Sequence, residues 1–63
     1  MKDVIKGQLV ELAKNIESTE DGFEQWLLVM QYDATAQEAI ENDVITQAEV
    51  TAIAREYSPT FAK

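Results

Sequence analysis

Apolar residues recur at helical spacing through almost the whole chain, and this spacing constrains the fold more than any other feature. In the first segment they fall at i, i+4, i+7, i+8 and i+11, which is one face of a helix. These residues are Ile5, Leu9, Leu12, Ala13 and Ile16. No segment shows the apolar–polar alternation of a strand, so the sequence predicts an all-α fold.

A second helix is predicted to begin after Asp21, which can accept hydrogen bonds from first-turn amides and form a capping box with Glu24. Its strongest apolar positions have the spacing i, i+3, i+4 and i+7, and they are Phe23, Trp26, Leu27 and Met30. Further apolar residues occupy its other sides. A helix that is apolar almost all round is either central in a fold or meets a second chain.

Two more helices are predicted in the rest of the chain. A short one starts at Asp33 or Thr35, because Thr35 and Glu38 have the spacing of a capping box. The last is capped by Thr46 and ends near Tyr57, because the proline that follows disfavours helix at the residue before it.

We therefore expect residues 1–63 to form a single helical domain, a compact small helical bundle with three main helices plus one short helix. The helical spacing predicts one shared core, made of Leu9, Leu12, Ile16, Trp26, Leu27, Met30, Val50 and Ile53. An interface role for Trp26 and Phe61 stays open beside a core role.

The stretch 38–49 has some features of a calcium-binding loop. Such a loop needs an oxygen ligand at position three and a glycine at position six. If Ile45 is placed at the apolar position eight, position three is Ile40, which has no side-chain oxygen, and position six is Asp43. Two required features are absent, so we expect no calcium site. Asn42 and Asp43 are instead predicted to form a turn.

The same stretch and the helix after it also resemble a DNA-binding helix-turn-helix. Arg55 would be the only cation on the second helix, and Glu49 lies near the start of that helix. The many acids before it would repel DNA, which carries one charge per roughly 1.7 Å. We expect no direct nucleic-acid binding.

The residue types needed for common catalytic and metal chemistry are largely missing. The sequence has no Cys and no His, which excludes thiol nucleophiles, Cys/His zinc sites and the usual proton shuttle. It also has no glycine-rich phosphate loop. We expect no enzymatic activity, no catalytic residue, no metal and no cofactor.

The absence of Cys also fits a cytoplasmic protein, and no apolar run approaches the roughly 20 residues of a membrane span.

The charge distribution predicts a binding partner. Residues 15–54 carry nine Asp and Glu residues and no Lys or Arg, within a chain whose net charge is -7. An ordinary solvated surface mixes both signs, so this segment is a candidate surface for a basic protein. The residues that we expect to bind this partner are Glu20, Asp21, Glu24, Glu38, Glu41 and Asp43.

The main functional hypothesis is therefore a non-enzymatic acidic protein that acts by protein–protein binding. One form of it is an inhibitor that occupies a basic, nucleic-acid-binding surface of its target as a DNA mimic, by analogy with many phage-encoded inhibitors. Two alternatives stay open. The acids serve solubility alone, or the chain is a structural or assembly subunit that self-associates, for example as a homodimer, through an apolar helix face.

Overall fold

The computed structural model describes residues 2–61, which fold into three helices. These are α1 (Lys2–Ser18), α2 (Gly22–Glu41) and α3 (Gln47–Tyr57), and the described residues contain no strand. The all-α helical bundle is thus confirmed. None of the helices within residues 2–61 combines the length and the apolar content needed to cross a membrane.

The predicted separate short helix was wrong, because it is the second half of α2. The helix continues without a break through Asp33 and Thr35 to Glu41. A capping residue starts a helix only where the preceding chain is not already helical, and nothing here ends α2. Residues 23–41 contain neither glycine nor proline, and several alanines within them favour helix.

Both ends of α2 are fixed by local hydrogen bonds. Asp21 is its N-cap, as predicted, and accepts from the backbone amides of Phe23 at 2.9 Å and Glu24 at 3.3 Å. At the other end Asp43 has a φ of 57°, and the amide of Val44 donates to the carbonyl of Ala39 at 2.9 Å. This is a Schellman motif, which ends a helix at a left-handed residue. It confirms the predicted turn.

The core lies on α1, which packs against both other helices. Its buried residues are Leu9, Ala13, Ile16, Tyr32, Ala36, Ala39, Ile45, Val50 and Ile53. The predicted core is therefore right for α1 and α3, with Leu12 partly buried at its edge. It is wrong for α2, because Trp26, Leu27 and Met30 are exposed.

Two buried hydroxyl groups connect the helices. The Tyr32 hydroxyl donates to the carbonyl of Val50 at 2.7 Å, which joins α2 to α3. Burial, with a smaller effect from the neighbouring Asp33 carboxylate, raises the pKa of Tyr32. The hydroxyl of Ser58, just after α3, donates to the carbonyl of Ala13 on α1. Because both groups have partners, neither carries the cost of an unsatisfied buried polar atom.

Candidate protein-binding surface

The outward side of α2 carries a row of large apolar side chains. Phe23 and Tyr32 are nine positions apart, which at about 100° per residue puts them on opposite sides of the helix. Tyr32 is in the core, so Phe23 points away from it. The exposed fractions in this row are 68% for Phe23, 56% for Trp26, 40% for Leu27 and 50% for Met30. We call these four residues and the exposed Ala34 the outer stripe.

The spacing of the outer stripe is that of a helix-pairing seam. Phe23, Leu27, Met30 and Ala34 follow one another at i, i+4, i+7 and i+11, the alternation of four and three residues found in coiled coils. The rings of Phe23 and Trp26 lie 6.1 Å apart between centroids, and their planes are tilted by 33°. This aromatic pair forms the wide end of the stripe, and Ala34 forms the narrow end.

A groove adjoins the outer stripe on the side of α1. It has a volume of about 820 Å³ and runs between α1 and α2. Ala34, Gln31 and Thr35 line it from α2, while Val4 and Leu12 line it from α1 together with polar residues. Because Ala34 belongs to both features, the groove extends the exposed apolar surface from α2 toward α1.

The structure separates the six predicted partner-binding acids into two groups. Glu20, Asp21 and Glu24 lie at the N-terminal end of α2, and Glu38, Glu41 and Asp43 lie at its C-terminal end. All six are exposed. From Glu24 to Glu38 the helix advances roughly 21 Å. The acids therefore do not form one continuous patch, since the apolar outer stripe lies between the two groups.

Two of the six acids also stabilise the fold. Asp21 caps α2, and Asp43 adopts the left-handed conformation that ends it. Substituting either residue would change the helix ends as well as the charge. Glu24, Glu38 and Glu41 are thus the better residues for testing the role of charge alone.

The acids of the sequence segment 15–54 are not all available to a partner. Glu49 lies 3.0 Å from the ammonium group of Lys2 and 3.1 Å from that of Lys6, and it completes the capping box of α3 with Thr46. Hydrogen bonds from the two lysines lower the pKa of Glu49 to about 2. Glu17 accepts from the backbone amide of Thr60 at 3.1 Å.

Within residues 2–61, no group of three or more Asp, Glu, Cys or His residues is arranged to hold a metal ion. The stretch 38–49 comprises the end of α2, a short connection and the start of α3. Residues 38–41 are helical and residues 47–49 begin the next helix, so the segment between them is a short turn.

The sequence contained a feature that distinguishes the two apolar faces of α2. The core face continues along the whole helix, through Leu28, Tyr32, Ala36 and Ala39. The outer stripe instead stops at Ala34 and is followed on the same side by Gln37, Glu38 and Glu41. The difference in length between the two apolar faces can be recognised only when residues 22–41 are considered as one helix.

Comparison with known proteins finds no matching family model, no matching curated protein and no matching solved structure.

Proposed function

We propose that this protein acts by binding a second protein, without catalysis, and that the outer stripe of α2 is the centre of the binding surface. The acids at the two ends of α2 form the rim. The observation that carries the proposal is the exposure of four large apolar side chains, Phe23, Trp26, Leu27 and Met30, on the side of α2 that faces away from the core.

The size of the outer stripe supports this proposal. With full side-chain areas of about 170–250 Å², these four residues expose roughly 450 Å² of surface. Patches of this size on a monomer are often functional. A standard protein interface covers about 800 Å² on each partner, so the stripe would supply about half of one. The groove and the acidic rim provide surface for the remainder.

The acidic rim supports a basic partner in particular. Oppositely charged groups around an apolar centre raise association rates and select among partners. An inhibitor that covers a basic, nucleic-acid-binding surface of its target is one form of this function, and the six exposed acids at the ends of α2 favour it. In that form the two acidic groups would contact the two ends of the basic surface. We place this binding in the cytoplasm, which the absence of Cys favours.

The test is affinity capture from the native host with a matched pair of variants. The double variant Leu27→Glu and Met30→Glu places two charges in the stripe, both at exposed positions of a helix. The control Ala52→Glu adds a charge at an exposed position of α3. A specific partner should be retained by the wild type and by the control and lost by the double variant. If every captured protein is still retained by the double variant, the proposal is wrong.

The second candidate function is self-association, because the stripe has the spacing of a helix-pairing seam. Light scattering across a salt series separates the two candidates. If the function is to bind a basic partner, the chain alone should be a monomer near physiological salt. A dimer that persists at every salt concentration, and that the double variant Leu27→Glu and Met30→Glu dissociates, would favour the assembly function.

A further inference from the structure

We infer that the partner element which docks on α2 is a basic amphipathic helix, with apolar residues in its middle turns and Lys or Arg in its first and last turns. This inference rests on the proposed function. It adds the shape of the partner, the position of its charges and its approximate length.

The shape follows from the outer stripe. Apolar residues spaced alternately by four and three along a straight helix form a narrow seam, and the side chains that fill such a seam best come from a second helix. The seam runs roughly 17 Å from Phe23 to Ala34. The large aromatic pair at one end and the small Ala34 at the other also make the seam tapered, so the partner needs small residues opposite Phe23 and Trp26 and a large one opposite Ala34.

The charge follows from the two ends of α2. Glu24 lies beside the wide end of the seam, and Glu38 and Glu41 lie beyond its narrow end. Cations that face both groups must be about 14 positions, or roughly 21 Å, apart on a helix. The partner helix therefore needs about 20 residues, of which the central three turns are apolar.

A second copy of the chain fits this surface less well. Either parallel or antiparallel pairing of two α2 helices places acidic ends against acidic ends, because both ends of α2 are negative. Like charges across an interface oppose association. A cationic partner removes this repulsion.

An anionic membrane surface is the other candidate for an exposed aromatic stripe. Amphipathic helices that bind such membranes carry Lys or Arg on their polar face. The segment 15–54, which includes all of α2, has none. The acids at both ends of α2 would face lipid headgroups of the same sign, so the charge pattern favours a basic protein helix over a lipid surface.

The experiment uses Trp26, the only tryptophan of the chain and a member of the outer stripe, as the reporter. Three synthetic helices of about 20 residues without aromatic residues are titrated. The first peptide has apolar residues spaced alternately by four and three, with Lys at both ends. The second has the same apolar residues with Glu at both ends. The third has Lys at both ends, but the order of its apolar and polar residues is scrambled. Only the first should shift the Trp26 emission to shorter wavelength in a saturable manner.

Two sets of variants separate the contributions of the seam and of the ends. Leu27→Glu with Met30→Glu should weaken binding of the first peptide by on the order of 100-fold or more. Glu38→Gln with Glu41→Gln should weaken it by roughly 3- to 10-fold at low salt and by less at high salt. Glu56→Gln, at an exposed site on α3, serves as the charge control and should change nothing.

Each other outcome contradicts a specific step. Equal binding of the Glu-ended peptide, or a Trp26 shift with anionic phospholipid vesicles, would overturn the basic-helix inference. A Trp26 shift that depends on protein concentration alone would identify a second copy as the occupant and overturn it too. If no peptide binds while the double stripe variant still loses its captured partner, the helix inference fails and the proposed function stands.

Discussion

Replacing Leu9 and Leu27 separately with alanine makes the same chemical change at two sites of opposite environment. Leu9 is completely buried where α1 meets the core, whereas Leu27 is 40% exposed on the outer stripe. Leu9→Ala should leave a cavity and cost about 3–5 kcal/mol. Leu27→Ala leaves no enclosed cavity and loses only part of a transfer free energy of about 2 kcal/mol, so it should cost about 1 kcal/mol.

Urea denaturation followed by far-ultraviolet circular dichroism measures the difference. A chain of 63 residues is expected to have a free energy of unfolding of about 3–9 kcal/mol. With a urea dependence of about 1 kcal/mol per molar, Leu9→Ala should lower the midpoint by about 3–5 M or abolish the folded baseline. Leu27→Ala should lower it by about 1 M. If Leu27→Ala costs as much as Leu9→Ala, the assignment of the outer stripe to the surface is wrong.

Three further changes test separate features of the fold. Gly7→Ala should raise the free energy of unfolding by about 1 kcal/mol in the same urea assay, because an added Cβ meets nothing within 4 Å and alanine favours helix. Tyr32→Phe should lower it by about 1 kcal/mol, because the carbonyl of Val50 loses the hydrogen bond from the buried Tyr32 hydroxyl. The ion pairs of Glu49 with two lysines of α1 should stabilise the fold fully above its ordinary pKa of 4.5 and be lost as the pH falls to about 2. Glu49→Gln, which keeps the capping geometry, should reduce the pH dependence of thermal unfolding in that range.

The parts of the fold that local chemistry determines could be predicted from the sequence. Three helix ends are where the sequence places them, at the caps Asp21 and Thr46 and at Tyr57, and so is the apolar face of α1. Each depends on residues at most one or two turns apart. Local patterns of this kind act within the same helix and need no knowledge of the packing.

The orientation of α2 could not be derived in the same way. Its two apolar faces have the same period, and the sequence predicts that the face with the larger side chains is the core. The core face instead carries Ala36 and Ala39, whose small size allows close packing of the helices. Choosing between two faces depends on the tertiary arrangement, which overrides intrinsic hydrophobicity at single positions. The wrong division of α2 at Asp33 concealed the continuity that identifies the core face.

The arrangement of the six predicted partner-binding acids depends on the same continuity of α2. In the sequence the six acids lie within one segment, 15–54, that carries no Lys or Arg. On an unbroken helix of 20 residues they occur at its two ends, with the outer stripe between them. Charge counting shows how many acids a segment has, but the distances among them depend on where helices begin and end.

The acids at the ends of α2 have a second consequence, which concerns copies of the chain itself. An exposed apolar seam favours unwanted pairing of copies in solution. Acids at both ends of α2 oppose this pairing in either orientation, because every paired arrangement brings like charges together. The same charges would attract a basic helix. Removing them should therefore change the two associations in opposite directions.

The triple variant Glu24→Gln, Glu38→Gln and Glu41→Gln tests this expectation while leaving the two capping acids in place. At low salt its weight-average mass in light scattering should rise with protein concentration, whereas that of the wild type should stay at the monomer value. At high salt the two proteins should converge, because screening near 1 M reduces the range of the charges to about 3 Å. The same variant should bind the Lys-ended helix more weakly. If the triple variant stays monomeric at every concentration, the acids do not hold copies apart, and their effect is limited to the choice of partner.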